Sequence, residues 1–279
     1  MEKHYAVIGH PIEHSFSPAM HQAGYEVLGV NAKYHRFDVE PSHLTEAVEG
    51  LCALGFSGWN VTLPHKEHIL SLLDTLTPQA KRAGAVNTVK IQEGKRIGHN
   101  TDGLGFVRSV EGELNGFKGK KAVLLGAGGA AKGIALALAE QGMKVHILNR
   151  KLARSEALVE VLQREGGTAT AGVLAPGGWL EEVDLLVQTT SVGLHGEPFP
   201  FSVQGISKQA LVVDIIFNPS ETAFLQEAKQ QGCRTLNGLG MLLYQGAYAW
   251  EFWLGGQAPV EAMGQALKDQ LMRRMLNIF

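Results

Sequence analysis

Lys120–Arg150 reads KKAVLLGAGGAAKGIALALAEQGMKVHILNR. An apolar run, a glycine cluster, a longer alanine- and leucine-rich run and a second β-branched run follow one another, predicting strand, tight turn, helix and strand. Gly126, Gly128 and Ala131 give the spacing G-x-G-x-x-A. The first glycine permits a sharp turn, the second lets backbone approach a pyrophosphate, and a small third residue lets helix and strand pack closely. The helix start then offers free N–H groups to phosphates. The second strand ends in Asn149, Arg150 and Lys151, with Arg154 one turn further on, where an NAD site usually carries a carboxylate. Cations there attract a 2′-phosphate, and arginine can grip it through two parallel hydrogen bonds, which favours NADP(H). Against this stand a glycine-rich packing turn that binds nothing and a solvated basic helix start.

The same alternation extends in both directions. Upstream, HYAVIG, KYHRFDV and FSGWNVT read as strands, and SPAMHQAGYEVLGV, HLTEAVEGLCALG and KEHILSLLDTL as helices. Ser17 is expected to cap the first helix, with Pro18 at its first position. AVNTVKIQEGKRIGHN predicts a hairpin about Glu93-Gly94. TDGLGFVRSVEGEL predicts a connecting helix. Downstream come SEALVEVLQREGG, VDLLVQTT, ALVVDIIF and TAFLQEAKQQG, then a helical pattern from about Leu239 to the end. Parallel strands need crossovers, so the fold class is α/β with mainly parallel sheets wrapped by helices.

Composition narrows the function classes. The chain has 279 residues, 45% of them hydrophobic and 19% charged, with a net charge of −2. That length suits about two domains, and that charge gives no electrostatic reason to expect nucleic acid. Cys52 and Cys233 lie far apart and form no metal or disulfide framework. No run is long enough for a signal peptide or a membrane span, so a soluble cytoplasmic protein is expected. His10 with His14, and His65 with His68, lack further ligands at metal spacing; they are read as structural or solvated, and no metal is expected.

Polar groups cluster where apolar strands run out. In GHPIEHSFSPAM, Ser15 and Ser17 straddle Phe16 at a helix start, a placement suited either to a small carboxylate or to simple capping. In NVTLPHKE, Asn60 and Thr62 share one strand face, and Pro64 is expected to open a helix carrying Lys66 in its first turn, where a cation opposes the helix dipole. GAVNTV places Asn87 and Thr88 at a hairpin strand, and GHNTDGLGF sets Asn100 and Asp102 before the connecting helix, Asp102 being a natural N-cap.

Taken in order, GHPIEHSFSPAMH, NVTLPHKE, GAVNTV, GHNTDGLGF, GAGGAAKG, NR and GLGMLLYQGA resemble the motifs of shikimate dehydrogenases over nearly the whole chain. The resemblance implies two α/β domains flanking a cleft: a substrate-binding and catalytic domain over 1–102, a Rossmann-type NADP domain over 103–237, and C-terminal helices over 238–279 that return to the first domain. It implies reversible NADPH-dependent reduction of 3-dehydroshikimate to shikimate in the aromatic amino acid (chorismate) pathway, by a monomer or homodimer with no membrane or nucleic-acid partner. Lys66 and Asp102 would be the catalytic pair. Ser15 and Ser17 would hold the substrate carboxylate, and Asn60, Thr62, Asn87 and Gln245 the ring hydroxyls. Gly126, Gly128, Gly129 and Ala130 would form the phosphate turn; Asn149, Arg150, Lys151 and Arg154 would meet the 2′-phosphate. Thr190, Gly238 and Met241 would line the cofactor site.

Two positions depart from that pattern. Phe217 in DIIFNP stands where the family commonly has a tyrosine that reaches the carboxylate, and Gln188 in QTTSVGL stands where it usually has asparagine. The rivals are a quinate or dual-substrate paralogue and a non-catalytic NADPH-binding sensor. Both serines and the basic strand end favour shikimate and NADP, and retention of Lys66 with Asp102 favours an enzyme.

Overall fold

The computed structural model describes residues 1–175, 177–180 and 182–276. The chain divides into two compact units, one comprising Met1–Gly105 with the segment from Leu242 onward, the other Phe106–Met241.

The first unit contains β1 (Lys3–Gly9), α1 (Ser17–Val27), β2 (Ala32–Asp38), α2 (Leu44–Ala53), β3 (Gly58–Val61), β4 (Thr75–Leu76), α3 (Pro78–Ala83), β5 (Thr88–Gln92) and β6 (Lys95–His99). Its six-stranded sheet has the order β2-β1-β3-β5-β6-β4. β1 pairs in parallel with β2 and β3, while β5 runs antiparallel to both β3 and β6. The expected hairpin joins β5 to β6, Gln92 facing Lys95, with Glu93 and Gly94 both at positive φ (53° and 73°). That is the backbone a two-residue turn needs to match strand twist.

β1 is buried on both faces, and strand alternation sends its side chains to two cores. Ala6 and Ile8 join Val48, Leu51, Trp59 and Ile69 on one side. Tyr5 and Val7 join Tyr25, Trp250 and Trp253 on the other. The second group includes α8 (Leu239–Leu254), and Met263 of α9 (Val260–Met275) lies beside Gly24 of α1, so the C-terminal helices pack on the first unit as expected. The chain passes between units within α4 (Asp102–Val110) and within α8.

Two local expectations are corrected. Ser17 is not the cap of α1: Phe16 holds that position without a side-chain bond, and Ser17 is the first helical residue, its N–H donating to Ser15 Oγ at 3.3 Å. Pro64 opens a turn rather than a helix, and a short 3₁₀ segment begins only at His68. The reason is that Val86 N–H donates to the Lys66 carbonyl at 2.8 Å, taking an acceptor that a helix would need.

The second unit contains β7 (Lys121–Leu125), α5 (Gly129–Glu140), β8 (Lys144–Asn149), α6 (Leu152–Arg164), β9 (Thr168–Val173), β10 (Leu185–Gln188), β11 (Leu211–Asp214), α7 (Ala223–Gln230) and β12 (Arg234–Leu236). All its strand pairs are parallel, in the order β12-β11-β10-β7-β8-β9. Counted within the unit this is 3-2-1-4-5-6 from β9, the doubly wound dinucleotide-binding order, whose switch point lies between β7 and β10. Its core joins Val123, Leu125, Leu186 and Val212 to Phe224 and Leu225 of α7.

Candidate active site

In the first unit, the turn after β3 and the start of α4 converge on one ion pair. Lys66 Nζ donates to Asp102 Oδ2 at 2.7 Å, the side chains being 16% and 4% exposed. His65, fully buried, donates its Nε2 proton to the Val39 carbonyl at 2.7 Å and so pins the turn beside Lys66. Asn100 Oδ1 accepts the Asp102 N–H at 3.1 Å. Asp102 is therefore the first helical residue rather than the cap, and its carboxylate remains available for Lys66 and Asn87.

Asn87 supports that carboxylate. Its Oδ1 accepts the Thr101 backbone N–H at 2.8 Å, which settles the amide orientation because a backbone N–H can only donate. Nδ2 consequently faces Asp102 Oδ1 and Thr101 Oγ1, both at 2.9 Å, with Gln245 Oε1 at 3.4 Å. Thr101 Oγ1 also donates to the Gln245 carbonyl at 3.0 Å. This approach of α4 to α8 depends on Gly105, where a Cβ would stand 2.5 Å from Gln245 N.

Asn60 is buried next to this group. Its Nδ2 donates to the Asn87 carbonyl and to Thr88 Oγ1, each at 3.1 Å, and its Oδ1 accepts the Tyr34 hydroxyl at 2.6 Å. Burial raises the Tyr34 phenol well above the ordinary range, against a smaller lowering pull from the Ser17 side chain beside it. One hydrogen-bonded chain thus runs from Tyr34 through Asn60 and Asn87 to Asp102 and Lys66, with Ser17 beside its Tyr34 end. Ser15 is half-buried beside Ser17; Thr62 is half-buried after β3, its methyl against Gly9. Tyr34 and Thr101 were not singled out in the sequence, since a tyrosine in a strand and a threonine beside an asparagine carry no spacing that marks them; Thr88 was read only as part of the hairpin strand.

The remaining candidates lie in the second unit. Gly126 sits at φ 118°, a region that penalises side chains, and a Cβ there would stand 2.6 Å from Thr189 Oγ1. Gly128 caps α5 with no side-chain bond and no acid in the first turn, and nothing lies within 4 Å of where its Cβ would be. Uncapped N–H groups and the dipole at Gly128, Gly129 and Ala130, with open space at Gly128, fit a dinucleotide phosphate. Asn149 Nδ2 donates to the Lys151 carbonyl at 2.9 Å, and the Arg154 N–H to the same carbonyl at 3.0 Å. Arg150, Lys151 and Arg154 are exposed at this corner, as a 2′-phosphate site requires. Thr190, Phe217 and Gly238 belong to the loops after β10, β11 and β12; Met241 is buried in α8.

Three family models match the chain: the shikimate dehydrogenase substrate binding domain over residues 7–89, shikimate / quinate 5-dehydrogenase over 108–194, and the shikimate 5′-dehydrogenase C-terminal domain over 238–268. The shikimate dehydrogenase (NADP(+)) of Desulfitobacterium hafniense (strain Y51) is 57% identical over 271 residues, covering 97% of this chain and 99% of that one. The chain belongs to the shikimate dehydrogenase family. Its structure is similar to shikimate dehydrogenase from Aquifex aeolicus, with a TM-score of 0.89, 39% identity and coverage of 96% and 98% of the two chains. It is also similar to shikimate 5-dehydrogenase from Thermus thermophilus in complex with NADP(H) and shikimate, with a TM-score of 0.86, 38% identity and coverage of 96% and 100%. Within this shikimate dehydrogenase fold, Gln188 is fully buried at the end of β10 and Phe217 half-buried after β11. Among the described residues, no group of three or more His, Cys, Asp and Glu could hold a metal ion, and no helix is long and apolar enough to cross a membrane.

Proposed function

We propose that this protein is a cytoplasmic enzyme catalysing the reversible NADPH-dependent reduction of 3-dehydroshikimate to shikimate in the chorismate pathway. The observation that carries the reading is the Lys66–Asp102 contact at 2.7 Å, held in place by Asn87, in a chain of this family. NADPH, when bound, supplies the hydride for the ketone carbon. Reduction of a ketone builds negative charge on its oxygen, and Lys66 Nζ holds a proton and a positive charge to meet it. In the reverse direction the same nitrogen takes the alcohol proton. Asp102 fixes the ammonium through Oδ2, and each of its oxygens keeps acceptor capacity for a ring hydroxyl.

Ring hydroxyls also meet Asn60, Thr62, Asn87 and Gln245. Both amide protons of Asn60 are committed to Asn87 and Thr88, so its remaining offer is a lone pair on Oδ1. Ser15 and Ser17 hold the carboxylate. In the second unit, Gly126, Gly128, Gly129 and Ala130 take the pyrophosphate, Asn149, Arg150, Lys151 and Arg154 the 2′-phosphate, and Thr190, Gly238 and Met241 line the remainder.

The test follows absorbance at 340 nm with shikimate or quinate, each paired with NADP+ or NAD+. Shikimate with NADP+ is expected to be the fastest pair. Faster turnover of quinate supports a quinate dehydrogenase instead. Lys66→Ala should abolish turnover and retain NADP+ binding; an active Lys66→Ala enzyme would remove the proposed centre.

A further inference from the structure

Gln188 ends β10 and Asp214 ends β11, and the two are direct register partners. Both are fully buried, yet neither belongs to the groups assigned above. Gln188 clamps its own loop: Oε1 accepts the Thr190 N–H, and Nε2 donates to the Val192 carbonyl at 2.8 Å and reaches Asp214 Oδ1 at 3.5 Å. Asp214 holds the next loop: Oδ1 accepts the Ile216 N–H at 3.0 Å and Oδ2 the Thr222 hydroxyl at 2.7 Å.

These loops are packed on the glycine turn and on each other. The Thr189 hydroxyl donates to the Leu125 carbonyl at 2.8 Å and abuts Gly126. Gly193 faces the next loop, where a Cβ on it would stand in van der Waals range of Thr222 and Ile216. The Gly238 N–H donates to the Ile216 carbonyl at 3.1 Å, and a Cβ on Gly238 would collide with the Ile215 carbonyl at 1.9 Å. Thr190, Phe217 and Gly238 therefore all ride on loops anchored to one buried carboxylate–carboxamide pair at the switch-point end of the sheet.

We propose that Gln188 and ionised Asp214 are positioning residues that set the shape of the NADP-binding loops and thereby the affinity for the dinucleotide. The groups facing Asp214 are the Ile216 N–H and the Gln188 amide NH2, which can only donate, and the Thr222 hydroxyl, which donates to it here; none is charged. Burial pushes its carboxyl up to about 6, against the pull of these hydrogen bonds. Ionised, it accepts from all three. Protonated, it still accepts from Ile216 and Gln188 but the Thr222 hydroxyl must stop donating and turn to accept, which rearranges the anchor of the loops. Binding of NADP+ then falls about tenfold between pH 7.5 and pH 5.0 from this group alone.

The proposal rests on the NADP reading, and the experiment separates the two. NADP+ affinity is measured by calorimetry at pH 7.5 and pH 5.0 for the wild type and Asp214→Asn. The 2′-phosphate titrates in the same range but is common to both proteins, so the difference isolates the carboxyl. Asp214→Asn should bind at least fivefold more weakly at pH 7.5, and its acid loss should be smaller by about tenfold. Gln188→Leu should raise the KM for NADPH at least fivefold at pH 7.5, with kcat within threefold and the KM for 3-dehydroshikimate unchanged. A merely structural role would move both KM values together. Equal acid losses in wild type and Asp214→Asn, or a Gln188→Leu KM for NADPH within twofold of wild type, overturns the proposal; if Asp214→Asn does not fold, Gln188→Leu decides alone. Failure of the wild type to bind NADP+ at pH 7.5 overturns the functional reading itself.

Discussion

Asp102→Asn is nearly isosteric, and its effect can be worked out from hydrogen-bond direction. Asp102 Oδ2 accepts from Lys66 at 2.7 Å and Oδ1 accepts from Asn87 Nδ2 at 2.9 Å. Neither partner can become an acceptor there: an ammonium has only protons to offer, and Asn87 is locked by the Thr101 N–H on its Oδ1. An asparagine has one carbonyl oxygen for two donors, so its NH2 must face a donor. One hydrogen bond to a charged group is lost, worth about 1.5–3 kcal/mol, which is a fall of roughly 10- to 150-fold in kcat/KM for shikimate. Lys66 has a route to solvent at 16% side-chain exposure, so the variant should stay folded. Steady-state oxidation of shikimate at saturating NADP+, read at 340 nm, measures the loss, and calorimetric NADP+ titration should show unchanged affinity. A kcat/KM within threefold of wild type would show that the pair does not serve the reaction.

Two further outcomes are expected. His21 is fully buried, stacked on Tyr34 with ring centroids 4.4 Å apart, and desolvation lowers it to about 3 from an ordinary 6.5. A histidine depressed in the folded state contributes stability above pH 6.5 that is lost as the pH falls from there toward 3; at pH 5 the loss is about 2 kcal/mol. Urea melts at pH 8 and pH 5 should show His21→Phe losing about that much less than wild type, and equal losses would show that the ring is hydrated. Phe217→Tyr restores the hydroxyl usual in the family and should lower the KM for shikimate by about ten- to hundredfold; an unchanged value would mean that Ser15 and Ser17 already satisfy the carboxylate.

What the sequence made legible was set by local rules. The unit from Lys121 to Asn149 announces itself because three small residues at fixed spacing are demanded by one turn and one helix contact. The Glu93-Gly94 hairpin is equally local. β9 and β12 went unread because TATAGV carries small residues without a clear alternation and RTL is three residues long, each being an edge strand that borrows its conformation from one neighbour. The helix expected after Pro64 failed for a non-local reason, the claim of Val86 on the Lys66 carbonyl. Lys66, Asp102 and Asn87 were visible as polar residues at strand and helix ends. Tyr34 and Asp214 were not, because a buried hydroxyl or carboxylate is explained only by partners distant in sequence.

Those distant partners also make the site directional. The Asn87 carbonyl can only accept, so it turns the Asn60 amide to present Nδ2; Asn60 Oδ1 is then left to Tyr34, whose single proton it takes. The Thr101 N–H can only donate, so it turns Asn87 toward Asp102. In the second unit the Thr190 N–H and Val192 carbonyl fix Gln188 in the same way. Each side chain that could point two ways is thus held by a backbone group that cannot be reversed. Groups oriented before the substrate arrives need no reorganisation as charge develops, which is where preorganised sites gain over water. It follows that substitutions reversing one amide, with volume unchanged, should damage turnover more than substitutions that merely shorten an exposed cation.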